Sequence, residues 1–168
     1  MLNASKNNTY TLEGLEKLKE KISILHTGSQ NLDKMLEGGF RNYSVIEIYG
    51  PAGAGKTRLI HQLLLKASLE LEGQEIFHID NEGNFRPAIL EAIGSRFSNF
   101  DSKVLNKIYV SRPITYEQFM ALLEFLSKKD VKFLSIDTIV THIRMLPSKE
   151  YISSLKKILL SIRQIANK

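Results

Sequence analysis

The run Gly50-Pro51-Ala52-Gly53-Ala54-Gly55-Lys56-Thr57 has the residue types and spacing of a loop that wraps around phosphates. Glycines let the backbone turn its N–H groups inward and approach an anion closely. A helix that opens at Lys56 would aim the positive end of its dipole at the same anion. Lys56 would add a point charge for the outer phosphates, and Thr57 would offer a hydroxyl to Mg²⁺. The pattern is credible only between a strand and a helix. "SVIEIYG" before it reads as a strand and Thr57 to Leu71 after it as a helix, so the context is right.

Two carboxylate positions complete the candidate chemistry. Asp137 ends the apolar run "KFLSID", and the carboxyl end of a parallel strand borders the crevice where such sheets bind ligands. It is the candidate partner of Thr57 for Mg²⁺, partly through water; the alternative is a turn or helix cap. "FHIDNEGNF" supplies Asp80 and Glu82. Nucleotide hydrolysis needs a group that orients or deprotonates water, worth typically about 10²–10⁴ in rate. Glu82 is the candidate; the alternative is that Asp80 and Glu82 shape a turn ahead of Gly83. Arg86 is a candidate contact for phosphate, base or a neighbouring subunit, and equally a surface arginine.

These residues need elements to hold them. "EIFHID", "NKIYVSR" and "KFLSID" read as further strands, with helical patterns at Arg86 to Phe97 and Tyr116 to Ser127 between them. "LIHQLLLKASLEL" is too apolar for a surface helix. Strands alternating with helices predict a parallel sheet covered on both faces. "EYISSLKKILLSIRQIANK" predicts a last amphipathic helix. Ahead of the phosphate loop, Thr11 to Ile22 and Thr27 to Phe40 predict two short helices. The second has Ser29 as its cap, Leu32, Met35 and Leu36 as its stripe, and Gly38-Gly39 as its stop.

The composition suits one globular domain of 168 residues, with 43% hydrophobic and 24% charged residues. No repeat or low-complexity segment interrupts it. No apolar run approaches the roughly 18 residues of a membrane span, and the polar start does not resemble a secretory signal. There is no cysteine, which excludes disulfides and thiolate sites and fits a cytoplasmic location. Lys and Arg number 23 against 18 Asp and Glu, a net charge of +5 compatible with nucleotide or nucleic-acid partners.

Taken together, "LHTGSQNLDKMLEGGF", "SVIEIYGPAGAGKT", "FHIDNEGNFRPAIL" and "FLSIDTIVTHIR" resemble, in order, the core of the RecA/RadA recombinase family, most of all its archaeal RadA/RadB-type branch. The resemblance implies a RecA-like P-loop fold, a three-layer α/β/α arrangement on a mainly parallel sheet. It implies ATP and Mg²⁺ as cofactors and action on DNA in recombination and repair. Position by position, it implies that Gly50, Gly53, Gly55, Lys56 and Thr57 bind ATP, with Pro51, Ala52 and Ala54 in the same loop. Thr57 and Asp137 would place Mg²⁺, and Glu82 and Lys56 would serve catalysis. Residues 1–25 read as a tail with a short helix, and 26–168 as the ATPase core.

Departures from the family pattern shape further expectations. The start is too short for the family's helix-hairpin-helix domain, and the first Phe is Phe40, so its Phe-x-x-Ala docking segment is missing. "IRMLPSKEYI" is short and glycine-free where the family carries a DNA-contacting loop. Arg144 and Lys149 are candidate phosphate contacts there, Arg144 also for a subunit, and the alternative is that both are solvent-facing charges. The family also places a strand between the phosphate-loop strand and the Asp137 strand, and the sequence reaches Lys168 before it. The gap would leave those strands roughly 9–10 Å apart. Three outcomes stand open: the sheet rearranges, a partner chain or second copy fills the slot, or the sequence is a piece of a longer or split protein. With them stands the reading of a nucleotide-binding accessory subunit without turnover.

Overall fold

The computed structural model describes residues 22–71 and 73–168. The predicted helix from Thr11 lies outside them as far as residue 21. A three-stranded, wholly parallel sheet forms the middle of the molecule, in the order β4 (Ile108–Ser111), β3 (Ile76–Asp80), β5 (Phe133–Asp137). The central strand β3 is buried at every position. Both of its faces are therefore covered, and its apolar residues Ile76, Phe77 and Ile79 fall on both of them. Its registers place Ile76 opposite Ile108 and Phe133, and Asp80 opposite Asp137.

Successive β3 side chains point to opposite faces, and each face has its own core. Phe77 and Ile79 pack with Phe119, Leu123 and Leu126 of α4 (Tyr116–Ser127) and with Ile158 and Ile165 of α5 (Ser148–Ala166). Ile76 packs with Leu64 and Ala67 of α2 (Lys56–Glu70) and with Phe85 and Leu90 near α3 (Pro87–Gly94). Helices thus cover both faces, as predicted. The helix α2 is apolar on more than one side because it is covered twice. Leu63, Leu64 and Leu65 are all buried, and Gln62 Nε2 donates to Thr27 O at 2.6 Å, tying the preceding segment to it.

Several boundaries differ from expectation. The helix α4 has the predicted ends, and its start is fixed by Thr115, whose hydroxyl accepts the Gln118 N–H. The helix predicted over Thr27 to Phe40 is only α1 (Gln30–Met35), and Ser29 makes no side-chain cap bond. Asp33 instead accepts the Thr27 N–H at 2.7 Å, while Phe40–Arg41 (β2) pairs antiparallel with Ile24–Leu25 (β1). The helix predicted from Arg86 to Phe97 is α3, shortened at both ends. A 3₁₀ turn at Ser102–Lys107 precedes β4.

The largest correction concerns "SVIEIYG". Residues 44–50 form no strand, and Val45, Ile46 and Tyr49 are exposed, Tyr49 by 87%. A strand exists only when a neighbour takes its N–H and C=O groups. Among the described residues β5 pairs only with β3, so no strand stands beside residues 44–50 to receive them. Among the described residues no helix is long and apolar enough to cross a membrane.

Candidate functional site

The phosphate-loop sequence forms an exposed turn at the start of α2. Residues 51–55 are all exposed. Ala54 N donates to Pro51 O at 3.3 Å, and Leu59 N makes the first helical bond to Gly55 O at 2.9 Å. Gly53 and Gly55 have φ of 76° and 89°, which side chains disfavour. A Cβ built at either position would meet no atom within 4 Å, so the glycines serve the turn and leave its outer side open. Lys56 Nζ donates to Gly50 O and Pro51 O, each at 2.9 Å, which holds the ammonium over the loop. Thr57 follows, half-buried, in the first helical turn.

Asp137 lies at the carboxyl end of β5, half-buried and directly opposite Asp80. Burial, then the negative charges of Glu82 and Asp80, raise its carboxyl above the usual range, against the smaller opposing effects of His61 and Thr138. A cation beside it would relieve that repulsion. The chain turns sharply after it, Thr138 having φ of 63°. Asn81 Nδ2 donates to Thr138 O at 2.8 Å, and Asn81 Oδ1 lies 3.2 Å from His142 Nε2. One asparagine therefore ties the turn after β3 to the turn after β5. Among the described residues no three His, Asp or Glu side chains converge as a metal cage.

The remaining candidates fall into different environments. Asp80 is buried, and its carboxylate accepts from Asn84 N at 2.9 Å, Phe85 N at 3.0 Å and Arg112 Nε at 2.8 Å. Burial raises this carboxyl, but the Phe85 and Asn84 N–H groups and Arg112 together bring it below the ordinary value. Glu82 is exposed on that turn, with Oε1 at 3.4 Å from Arg144 Nη2. Arg86 Nη1 donates to Gly83 O and Phe85 O, both at 2.8 Å, so it closes the turn. Lys149 is exposed. Glu82, Asp80 and Asp137 are brought together electrostatically; Arg86 and Arg144 engage the Glu82 turn.

Sequence reasoning missed Arg112 and two histidines. His61, one turn beyond Thr57 on α2, is buried, and neither ring nitrogen meets a hydrogen-bond partner. Its ring lies 5.3 Å from Phe85 and 6.4 Å from His78, centroid to centroid. His78 Nδ1 lies 2.8 Å from Ser135 Oγ. A polar residue at a position of β3 otherwise read as apolar was the available signal for His78; the partner of Asp80 lies 32 residues away and left none.

The arrangement is an open, glycine-turned loop at a helix N-terminus, with a carboxylate pair at the ends of neighbouring parallel strands. The sequence pattern of the family described as Rad51 matches residues 18–166. The chain belongs to the Rad51 family. A meiotic recombination protein DMC1 homolog from Lilium longiflorum is 30% identical to it over 148 residues, 82% of this chain and 42% of that protein. The chain thus spans less than half the length of this curated relative. The parallel sheet with helices on both faces is the RecA-like α/β architecture expected of a Rad51-family core.

Proposed function

We propose that this Rad51-family chain carries an ATP-binding core, residues 26–168, of a DNA-dependent recombination and repair ATPase. A leading segment, residues 1–25, precedes it, and the end of that segment at Ile24–Leu25 is already tied to the core through β1. The observation that carries the reading is the open loop. Gly53 and Gly55 hold left-handed turns at the start of a 15-residue helix, and Lys56 Nζ lies over the loop carbonyls. Backbone N–H groups and the helix dipole there favour an anion.

The donor set fits Mg²⁺. A threonine hydroxyl and a carboxylate are hard oxygen ligands, and Mg²⁺ commonly takes one or two such groups and fills its shell with phosphate oxygens and water. Thr57 and Asp137 would hold it. When bound, nucleotide and ion supply the phosphoryl group and the charge that neutralises it. The chain's part is to cradle phosphates at residues 50–57, to bring the Lys56 ammonium to them, and to present Glu82 to a water. Arg86, Arg144 and Lys149 are the proposed DNA or subunit contacts, Arg86 and Arg144 after release from their present partners.

Thermal unfolding tests the loop. ATP with Mg²⁺ at 100 times its dissociation constant should add about 2.7 kcal/mol to the wild type. Lys56→Ala should show no such gain; an equal shift in both proteins would remove the nucleotide from this loop.

A second reading has its own observation. Val45, Ile46 and Tyr49 are exposed beside the loop and belong to no strand. This favours a chain that binds nucleotide as an accessory and hydrolyses it only after a protein partner or a second copy supplies a strand. Nucleotide binding without turnover by the purified chain, with turnover on addition of a partner, would select this reading.

A further inference from the structure

We propose that Asp80 and Arg112 are positioning residues for Glu82. The inference rests on the reading of Glu82 as the water-activating carboxylate and assigns what places it. Glu82 has little holding its own side chain. Its contacts are Arg144 at 3.4 Å and Asn84 Nδ2 at 3.5 Å, both at the limit of hydrogen bonding. A carboxylate held so loosely takes its position from the backbone beneath it.

That backbone is fixed at both ends. Oδ1 of Asp80 takes the Asn84 N–H, and Oδ2 takes the Phe85 N–H and the Arg112 Nε–H. Arg112 Nη2 also donates to Phe85 O at 2.9 Å. One guanidinium fork therefore joins the carboxylate that begins the turn to the carbonyl that ends it. Asn81, next to Glu82, is pinned to Thr138 O. The Asp80 side chain is 0% exposed and the Arg112 side chain 52%. Three donors occupy most of the about four acceptor positions of this carboxylate, and with its full burial they commit Asp80 to the turn. Charge-assisted bonds of this kind are the strong ones, and a buried carboxylate that loses its partner is costly.

Geometry sets the expected size of the effect. Misplacing a catalytic group by about 1 Å can cost about 10²-fold. Arg112→Gln removes the charge and the fork while keeping a polar side chain at a half-exposed position. The buried Asp80 then loses its charged partner, so the variant's folding is checked first by its melting curve. Turnover of ATP with Mg²⁺, nucleotide affinity and amide exchange at Asn84 and Phe85 should be measured on the whole chain. The expected result is a kcat about tenfold or more below wild type, with ATP affinity changed less than about threefold and faster exchange at both amides. Arg112→Lys should rescue little, because an ammonium lacks the fork that spans Asp80 and Phe85 O. Asp80→Asn should repeat the kcat loss, giving a second route if Arg112→Gln unfolds.

Unchanged amide exchange at Asn84 and Phe85 in a folded Arg112→Gln protein would overturn the proposal whether or not the chain alone turns over ATP, as would wild-type kcat, or kcat and affinity falling together. If Glu82→Gln turns over ATP at the wild-type rate, the reading of Glu82 fails first and the positioning role goes with it. Normal loss in Glu82→Gln beside full activity in Arg112→Gln overturns the positioning role alone.

Discussion

Across the β3–β5 pair, His78 Nδ1 and the Ser135 hydroxyl lie 2.8 Å apart on residues directly opposite in register. Burial is the main influence on His78 and lowers its pKa to about 4, against the raising effect of Asp80. The folded state thus prefers neutral His78. Between about pH 6.5 and pH 4 the unfolded chain binds the proton that the folded chain refuses. Stability from this residue is full above pH 6.5 and falls as pH drops toward 4, by a sum of order 3 kcal/mol. His61, also lowered chiefly by burial, acts in the same direction. Urea unfolding at pH 7.5 and pH 4.5 should show the loss, and His78→Leu should lessen it. An unchanged pH dependence in His78→Leu would mean that His78 is not the group responsible.

Asp137 gives a prediction of opposite sense. Burial and two neighbouring carboxylates already disfavour its charge. Asp137→Asn should therefore leave the nucleotide-free protein as stable as wild type, or more so. The same substitution should abolish the extra stabilisation that Mg²⁺ adds to ATP, since Mg²⁺ is held chiefly through carboxylate charge and the amide carries none. Melting curves with ATP alone and with ATP plus Mg²⁺ separate the two effects. A retained Mg²⁺ increment would move the ion to other ligands.

Legibility in the sequence followed the range of the interactions. The glycine turn at the start of α2 was legible because Gly53, Gly55 and Lys56 act within one turn, and the start of α4 because Thr115 caps it, accepting the N–H of Gln118 three residues on. Residues 44–50 read as a strand from their β-branched pattern, yet strand state depends on a neighbouring strand that no local pattern carries. Asp80 could be found but not assigned, because Arg112 is brought to it by the β3–β4 pairing. The 3₁₀ turn at Ser102–Lys107 carries a local signal, the Asp101 cap that accepts the Lys103 N–H.

The core supplies a contrast within one helix. Leu123 is fully buried against the sheet, whereas Phe125, two residues on, is 51% exposed. Leu123→Ala should cost about 2–5 kcal/mol, the transfer of the lost methyls plus the cavity left behind. Phe125→Ala loses only partial burial and the Lys129 ammonium 5.1 Å above its ring, worth about 0.5–1 kcal/mol at an exposed site. Urea midpoints of the two variants should differ accordingly. Equal losses would show that α4 does not face the sheet as described.

Glu82 and Arg144 separate a stability effect from a catalytic one. Their pair is exposed on both sides and 3.4 Å long, so breaking it should change stability by less than about 1 kcal/mol. Arg144→Ala and Glu82→Gln should therefore melt close to wild type. Their effects on turnover should differ. Glu82→Gln keeps the shape and removes the proposed base, so ATP should bind normally while hydrolysis falls by about 10²-fold or more. Arg144→Ala leaves the carboxylate in place and frees it, so basal hydrolysis should persist. If Arg144 also meets DNA phosphates, its loss should lower DNA affinity and reduce the slope of affinity against salt by about one ion. ATP turnover and DNA binding at several salt concentrations check both halves. Hydrolysis undiminished in Glu82→Gln would transfer water activation to another group, and Asp137, half-buried opposite Asp80 at the end of β5, would be the next to test.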